Sequence, residues 1–327
     1  MGFMEKEVLG SKSPLFGRRT GQLHMKSFPY QTSIEFMNQF QSEEKLMLYG
    51  AFGGTPLYLQ QIEEKENFKE NIKRAFLKNT SYLYEEPLLL LRQGVQEPGV
   101  YSAIIEAIAG GCTRANEIST KIGEETAKCL KYIKTLCELG ILYKEIPFGE
   151  KESSRKTLYG ISDQMFRFWY RYVFTNRTLI ETGASEAVWE KRIQPDYNHY
   201  MGLTFEKICM DYLYAQNAKG ELPFLFTTIG RWWGANPQTH EQVEIDIIAS
   251  ERSDYLIGEC KWRNEKLDIG VLNSLKEKAD IFCKKREHTW FVLFSKSGFT
   301  KAVIEEKEKS EDIILVDLEQ LISGKDT

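Results

Sequence analysis

The sequence predicts a multidomain chain, helical over 1–200 and α/β with a mixed sheet over 201–327. Three observations carry this expectation. A length of 327 residues suggests two or three domains rather than one. Segments of helical periodicity followed by a pair of short strands fill 99–161. From Met201 onward a helical segment gives way to β-branched and aliphatic runs separated by polar turns. At 42% hydrophobic and 28% charged, the composition is that of an ordinary globular protein with ample core.

Composition also narrows the function classes. The formal net charge is −4, so no whole-chain basic field draws in nucleic acid, and any such site is local. The six cysteines (Cys112, Cys129, Cys137, Cys209, Cys260, Cys283) show no Cys-x-x-Cys pair and no zinc spacing. They read as reduced, mostly buried thiols of a cytoplasmic protein. No apolar run is long enough for a membrane span, so no membrane partner is expected, and no signal peptide, low-complexity tail or repeat period is seen.

In chain order, Ser-Pro-Leu-Phe-Gly-Arg-Arg-Thr-Gly at 13–21 sets Arg18 and Arg19 between glycines. Such a loop can present guanidinium groups to a phosphate, although on residues alone it reads as a surface pair. A polar helix is expected at 32–40 and another segment at 43–49. Gly-Gly-Thr-Pro at 53–56 separates these from the next helix, whose first turn suits the proline. The stretch 67–79 reads as a charged amphipathic helix, Tyr-Glu-Glu-Pro at 84–87 closes the region, and 87–93 reads as a short helix.

Residues 99–161 form a module. Helical periodicity over 100–109 stops at Gly110 and Gly111, and Thr113 is the expected N-cap of a helix running to Ile122. A longer helix over 124–139 carries Leu130, Ile133, Leu136 and Leu139 on one stripe, with Lys128, Lys131 and Lys134 elsewhere and Gly140 as its cap. Strands at 141–146 and 157–161 follow. This is the order of a winged helix, whose third helix would meet DNA through those lysines. The module holds nearly as many acids as bases, whereas a duplex-binding face wants clustered cations, so a protein–protein role stands beside the DNA-binding one. The aromatic-rich helix at 161–173 offers rings for base stacking but reads as core, and 186–196 reads as a further helix.

The α/β part begins with a helix at 201–214 that carries Glu206. A strand at 224–229 leads to Gly-Arg-Trp-Trp-Gly at 230–234 and a polar loop. Strands at 243–249 and 255–262, a helix at 269–283, a strand at 290–294, a short helix from Thr300 and a last strand at 313–316 complete it. On 255–262, Glu259 and Lys261 point one way while Leu256, Gly258 and Cys260 point the other. On 243–249, Glu244 and Asp246 share a face opposite Val243, Ile245 and Ile247. Charges on a strand face usually mark solvated surface. Here, however, an Asp late in one strand precedes a Glu-x-Lys inside an otherwise apolar one, and burying such groups without purpose is expensive. His199, His240 and His288 have no partner in the pattern and read as surface or core.

The set Asp246, Glu259, Lys261 resembles the PD-(D/E)xK signature of the restriction-endonuclease-like nucleases, whose core order of helix, three strands, helix and strand is also expected here. The resemblance implies that Asp246 and Glu259 ligate Mg²⁺ (or Mn²⁺), with Glu206 as an additional acid ligand. It implies that Lys261 positions or activates the attacking water. Hard oxygen ligands suit such an ion, which acidifies a bound water.

Nearly the whole chain is also similar to the C-terminal part of an archaeal and bacterial AAA+ (STAND-like) ATPase family that ends in a restriction-endonuclease-like domain of unknown function. The segments that carry the likeness are Phe-Met-Glu-Lys-Glu-Val-Leu at 3–9, Ser-Pro-Leu-Phe-Gly-Arg-Arg-Thr at 13–20 and Gly-Gly-Thr-Pro-Leu-Tyr-Leu at 53–59. Tyr-Glu-Glu-Pro at 84–87, Phe-Arg-Phe-Trp-Tyr at 166–170, Gly-Arg-Trp-Trp-Gly at 230–234 and Gly-Glu-Cys-Lys-Trp at 258–262 complete the set. The implied organisation is a helical ATPase lid remnant at 1–95, a winged helix at 96–162, a helical linker at 163–200 and a nuclease-like domain at 201–327. The family's phosphate-binding loop is missing, since neither Gly-Ser-Lys-Ser at 10–13 nor Gly-Lys at 324–325 has its glycines or its strand–helix setting. This chain alone is therefore expected neither to bind ATP nor to hydrolyse it, and Arg18 and Arg19 would act only on a nucleotide held by a separate P-loop chain. The functions implied are a Mg²⁺-dependent nuclease acting on DNA, a non-catalytic DNA- or protein-binding module, or the C-terminal half of a split ATPase.

Overall fold

The computed structural model describes residues 25–282 and 287–324, which divide into two units. The first takes 25–40, 47–145 and 157–193, and the second takes 41–46, 146–156 and the described residues from 194 on. Arg18 and Arg19 lie outside the described residues.

The first unit is helical apart from one small hairpin. The helix expected at 32–40 is only the turns Tyr30–Ser33 and Ile34–Phe36. Helix α1 (Ser42–Phe52) ends before Gly54, where a Cβ would lie 1.9 Å from the Phe28 carbonyl oxygen. The Phe28 N–H donates to the Gly54 carbonyl at 2.8 Å, so only glycine fits between the two backbones. Helix α2 (Phe68–Phe76) starts where the Asn67 side chain accepts from the Glu70 N–H at 3.0 Å. Helix α3 (Tyr82–Gly94) corrects the expectation that Pro87 closes the region, because Pro87 lies inside it. An interior proline costs about 3 kcal/mol, and burial of Leu83, Tyr84, Pro87 and Leu91 along one face offsets it.

Next come α4 (Pro98–Ala109), α5 (Ala115–Ile122) and α6 (Thr126–Glu138), then β1 (Leu142–Glu145) and β2 (Leu158–Ile161) in antiparallel register with Leu142 opposite Ile161. The cap of α5 is Arg114 rather than Thr113, because the Glu117 carboxylate accepts from both N–H groups at 3.1 Å. On α6, Cys129, Ile133 and Leu136 form the buried stripe, while Leu130, expected on it, is 39% exposed. The aromatic segment is α7 (Gln164–Phe168), continued by a π-helical turn at Trp169–Val173. Phe168, Trp169 and Tyr170 are fully buried, as the core reading expects. Trp169 Nε1 donates to the Tyr84 carbonyl at 2.8 Å and the Tyr170 hydroxyl to Ser102 Oγ at 3.0 Å, so both polar tips are satisfied.

The second unit is a mixed α/β layer. Helix α8 (Tyr197–Lys219) is longer than expected and buries Tyr200, Met201, Thr204, Phe205, Ile208, Cys209 and Tyr212 on one side. The sheet runs in chain order through β3 (Thr228–Ala235), β4 (Gln242–Glu251), β5 (Asp254–Lys261), β6 (His288–Ser295) and β7 (Ile313–Asp317). Strands β3, β4 and β5 pair antiparallel; β5, β6 and β7 pair parallel. Helix α9 (Ile269–Phe282) makes the crossover between β5 and β6, and α10 (Lys301–Lys309) that between β6 and β7. Leu272, Leu275 and Ala279 of α9 pack on Ile248, Ile257 and Leu293 of the sheet, with Val303 of α10 in the same cluster.

Two expectations change here. The first strand is Thr228–Ala235 rather than 224–229: it starts later and runs on through Gly-Arg-Trp-Trp-Gly, where Trp232 packs against the core cluster and Trp233 is buried. The strict alternation expected on β4 also fails. Gly230 pairs Ile248 while Trp232 pairs Ile245, an extra residue on β4 that lets Ile245 and Ile248 reach the same cluster. The final helix α11 (Leu318–Ser323) was not anticipated, although Asp317 and Gln320 form the capping box that marks its start. Among the described residues no helix is long and apolar enough to cross a membrane.

Candidate functional site

Strand β5 lies in the middle of the sheet, between β4 and β6, and is buried from Leu256 to Cys260. Its pleat sends Ile257, Glu259 and Lys261 to the face that α9 covers, and Leu256, Gly258 and Cys260 to the other. Ile247 is opposite Gly258, the last pair of the β4–β5 ladder toward the site. Beyond it Asp246 leaves the ladder, and its carboxylate accepts from the Cys260 N–H at 2.9 Å. The register irregularity opposite Gly230–Trp232 thus falls where β4 delivers Asp246 to β5.

Glu259 is 5% exposed, and its carboxylate is held on both oxygens. Lys261 Nζ is 2.5 Å from Oε1. Lys278 Nζ, from α9, is 2.9 Å from Oε2 and 3.1 Å from Oε1. Burial, and then the neighbouring Glu259 charge, push Asp246 above the usual aspartate range, partly opposed by Lys261, the Cys260 N–H and Lys278. Burial pulls the Lys261 ammonium down, but Glu259 and Asp246 outweigh it, and its pKa stands above the ordinary lysine value. Asp246, Glu259, Lys261 and Lys278 together carry two negative and two positive charges.

Of the residues the sequence singled out, Asp246, Glu259 and Lys261 come together. Glu206 does not join them. Its carboxylate pairs with Arg231 Nε at 3.1 Å, and Arg231 also reaches Glu244 at 3.8 Å. It sits on α8 three residues before Cys209, which contacts Cys260 on the opposite face of β5 from Glu259. Among the described residues, no group of three or more His, Cys, Asp and Glu side chains is arranged to hold a metal ion. The two carboxylates that do converge are hard oxygen donors of the kind a Mg²⁺-type ion takes through one or two protein ligands, so this donor pair fits such an ion. Lys278 is the member that sequence reasoning missed. Its one signal was its place one residue before Ala279, on the edge of the buried stripe of α9.

The remaining candidates are separate. Lys128, Lys131 and Lys134 are exposed on α6, away from its buried stripe; Lys128 pairs with Glu124 at 3.0 Å and Lys134 with Glu138 at 3.9 Å. His199, His240 and His288 are exposed. The described cysteines are free, and burial pushes the Cys129, Cys209 and Cys260 thiols up, as in structural rather than reactive positions.

Comparison with known proteins gives three findings. Residues 169–278 match the family DUF234, described as archaeal and bacterial proteins of unknown function. An uncharacterized protein of Methanocaldococcus jannaschii is 32% identical over 98% of this chain and 70% of its own length. A crystal structure of a Vibrio cholerae protein aligns at 13% identity over 74% of this chain and 53% of the other, about half its length, with a TM-score of 0.24, too low to bear on the fold.

Proposed function

The chain belongs to the DUF234 family of archaeal and bacterial proteins of unknown function, and from that premise we propose that its second unit is a restriction-endonuclease-like domain that cleaves DNA phosphodiesters with a divalent cation. The observation that carries the reading is the convergence of Asp246, from one strand, with Glu259 and Lys261, from the next. They converge at the end of the central strand, where a buried Glu259 beside a half-buried Asp246 needs a reason. Asp246 and Glu259 would hold Mg²⁺ or Mn²⁺, which when bound supplies Lewis acidity and a more acidic water. Lys261 would orient the water as a charged hydrogen-bond donor, since its raised pKa keeps it protonated. Glu206, tied to Arg231, would support α8 against β3 rather than ligate.

In the same reading, α4, α5 and α6 with the β1–β2 hairpin form a winged helix at 96–162, and Lys128, Lys131 and Lys134 meet backbone phosphates. In it, 25–95 and 163–200 would be a helical lid and linker of the ATPase type. A second reading, a non-catalytic module that grips DNA, is favoured by the lysine pairs that already neutralise Glu259. The test is cleavage of plasmid and single-stranded DNA with Mg²⁺ or Mn²⁺. Asp246→Ala and Lys261→Ala should each lower the rate about a hundredfold. Equal activity in the wild type and both variants would refute the nuclease. DNA binding that depends on salt but not on metal would favour the second reading.

A further inference from the structure

Lys278 does something the nuclease reading does not require. That reading needs one ammonium group and a carboxylate open to a cation, yet Glu259 carries two ammonium groups, Lys261 on Oε1 and Lys278 across both oxygens. With Asp246 the set is already neutral. A divalent cation entering it alone would add two uncompensated charges to a largely dehydrated group and would compete directly with Lys278 for Oε2. The two lysines, alike in their flexible stems, hold Glu259 differently. Lys261 meets Oε1 from the same strand, whereas Lys278 spans both oxygens from α9, so a cation taking this carboxylate must displace Lys278. A DNA phosphodiester would restore the balance, since its anionic oxygens offer Lys278 a new partner at the moment Glu259 is needed.

We propose that Lys278 is an exchangeable counter-ion: it occupies Glu259 when nucleic acid is absent and moves to a phosphate oxygen when DNA binds, so that divalent cation and DNA phosphodiester bind cooperatively. This rests on the nuclease reading of the same site. Lys278 then acts on cation binding through Glu259 and on DNA through the phosphate it meets. By linkage, the factor by which DNA tightens cation binding equals the factor by which the cation tightens DNA binding.

The test measures Mn²⁺ affinity of the full chain by electron paramagnetic resonance, alone and with a single-stranded phosphorothioate oligodeoxynucleotide that resists cleavage. In the wild type the oligonucleotide should tighten Mn²⁺ about tenfold, a typical coupling between two sites. Lys278→Met should bind Mn²⁺ about tenfold more tightly without the oligonucleotide and lose most of the dependence on it. Lys276→Met removes a charge from the same helix at a residue paired with Glu306 instead, and should behave as wild type. Lys278→Gln replaces the methionine variant if the latter's melting profile departs from wild type. If Mn²⁺ binds and is lost in Asp246→Ala, but Lys278→Met keeps wild-type affinity or full oligonucleotide dependence, the exchange is overturned and the nuclease reading stands. If no Mn²⁺ binds to any of these proteins under either condition, both are overturned.

Discussion

Replacing Gly258 by alanine asks how tightly the sheet sets the spacing on which Asp246 and Glu259 depend. Gly258 lies between Ile247 on β4 and Val292 on β6. A Cβ there would stand 2.9 Å from Val292 Cγ1, 3.1 Å from Ile247 Cβ and 3.5 Å from the Val292 carbonyl oxygen. Both neighbours are fully buried and β-branched, so neither side chain can rotate away cheaply. Overpacking of this kind costs about 1–3 kcal/mol, and the reduced freedom of the unfolded chain returns about 0.4–1 kcal/mol. The expected net loss is therefore about 1–2 kcal/mol. It should appear in urea unfolding followed by tryptophan fluorescence as a lower midpoint at unchanged slope. Val292→Ala removes the clashing methyl group, so the double variant should lose about 1 kcal/mol less than the sum of the single ones. A Gly258→Ala protein as stable as wild type, or strictly additive losses, would refute this account of the packing.

Two further outcomes follow from the charges. Because burial and the Glu259 charge raise Asp246 in the folded chain, the folded state binds that proton more tightly than the unfolded state does. The stability Asp246 contributes is therefore fully present below its unfolded value, about 3.9, and is lost as pH rises through its folded value. Asp246→Asn, with no such proton, should gain on wild type in urea midpoints from about pH 4 upward, and a difference independent of pH would contradict this. Lys296, whose side chain is 4% exposed, donates to Glu43 and Asn264 at 2.7 Å and sits 5.1 Å over the Trp262 ring. Glu43→Ala leaves that buried ammonium without its carboxylate, held by Asn264 and the Trp262 ring, and should cost about 2 kcal/mol, whereas Lys296→Met removes the charge itself and should cost about 1 kcal/mol. The opposite ranking in thermal or urea unfolding would count against a buried charge at Lys296.

The most legible part of the sequence was strand β5, because period-2 alternation there is uninterrupted and puts Glu259 and Lys261 on one face before any coordinates are known. Strand β4 was harder: its extra residue opposite Gly230–Trp232 breaks the alternation at the very point that matters, and no residue type announces it. The strand expected at 224–229 ends too early, because Trp232 and Trp233 supply the burial that holds 230–234 extended. Pro87 misled because local propensity is outweighed by the apolar face around it. Long-range pairings were beyond reach. Nothing local ties Glu206 to Arg231 or Lys278 to Glu259, since each pairing depends on how elements distant in sequence are brought together.

The second unit draws on separate stretches of chain, and this bears on how it can be isolated. A gene fragment beginning at residue 194 would look like a complete α/β sequence, yet it would omit 41–46 and 146–156. With the first of these it would forgo Glu43, and with the second it would forgo Phe148, whose ring meets Phe282 and whose N–H donates to the Arg231 carbonyl at 2.7 Å. Excision would thus leave a bare patch on α9 and deprive the Arg231 carbonyl of that N–H on β3, the strand whose arginine holds Glu206. Dissecting this protein calls for substitutions within the intact polypeptide rather than scissors at a linker.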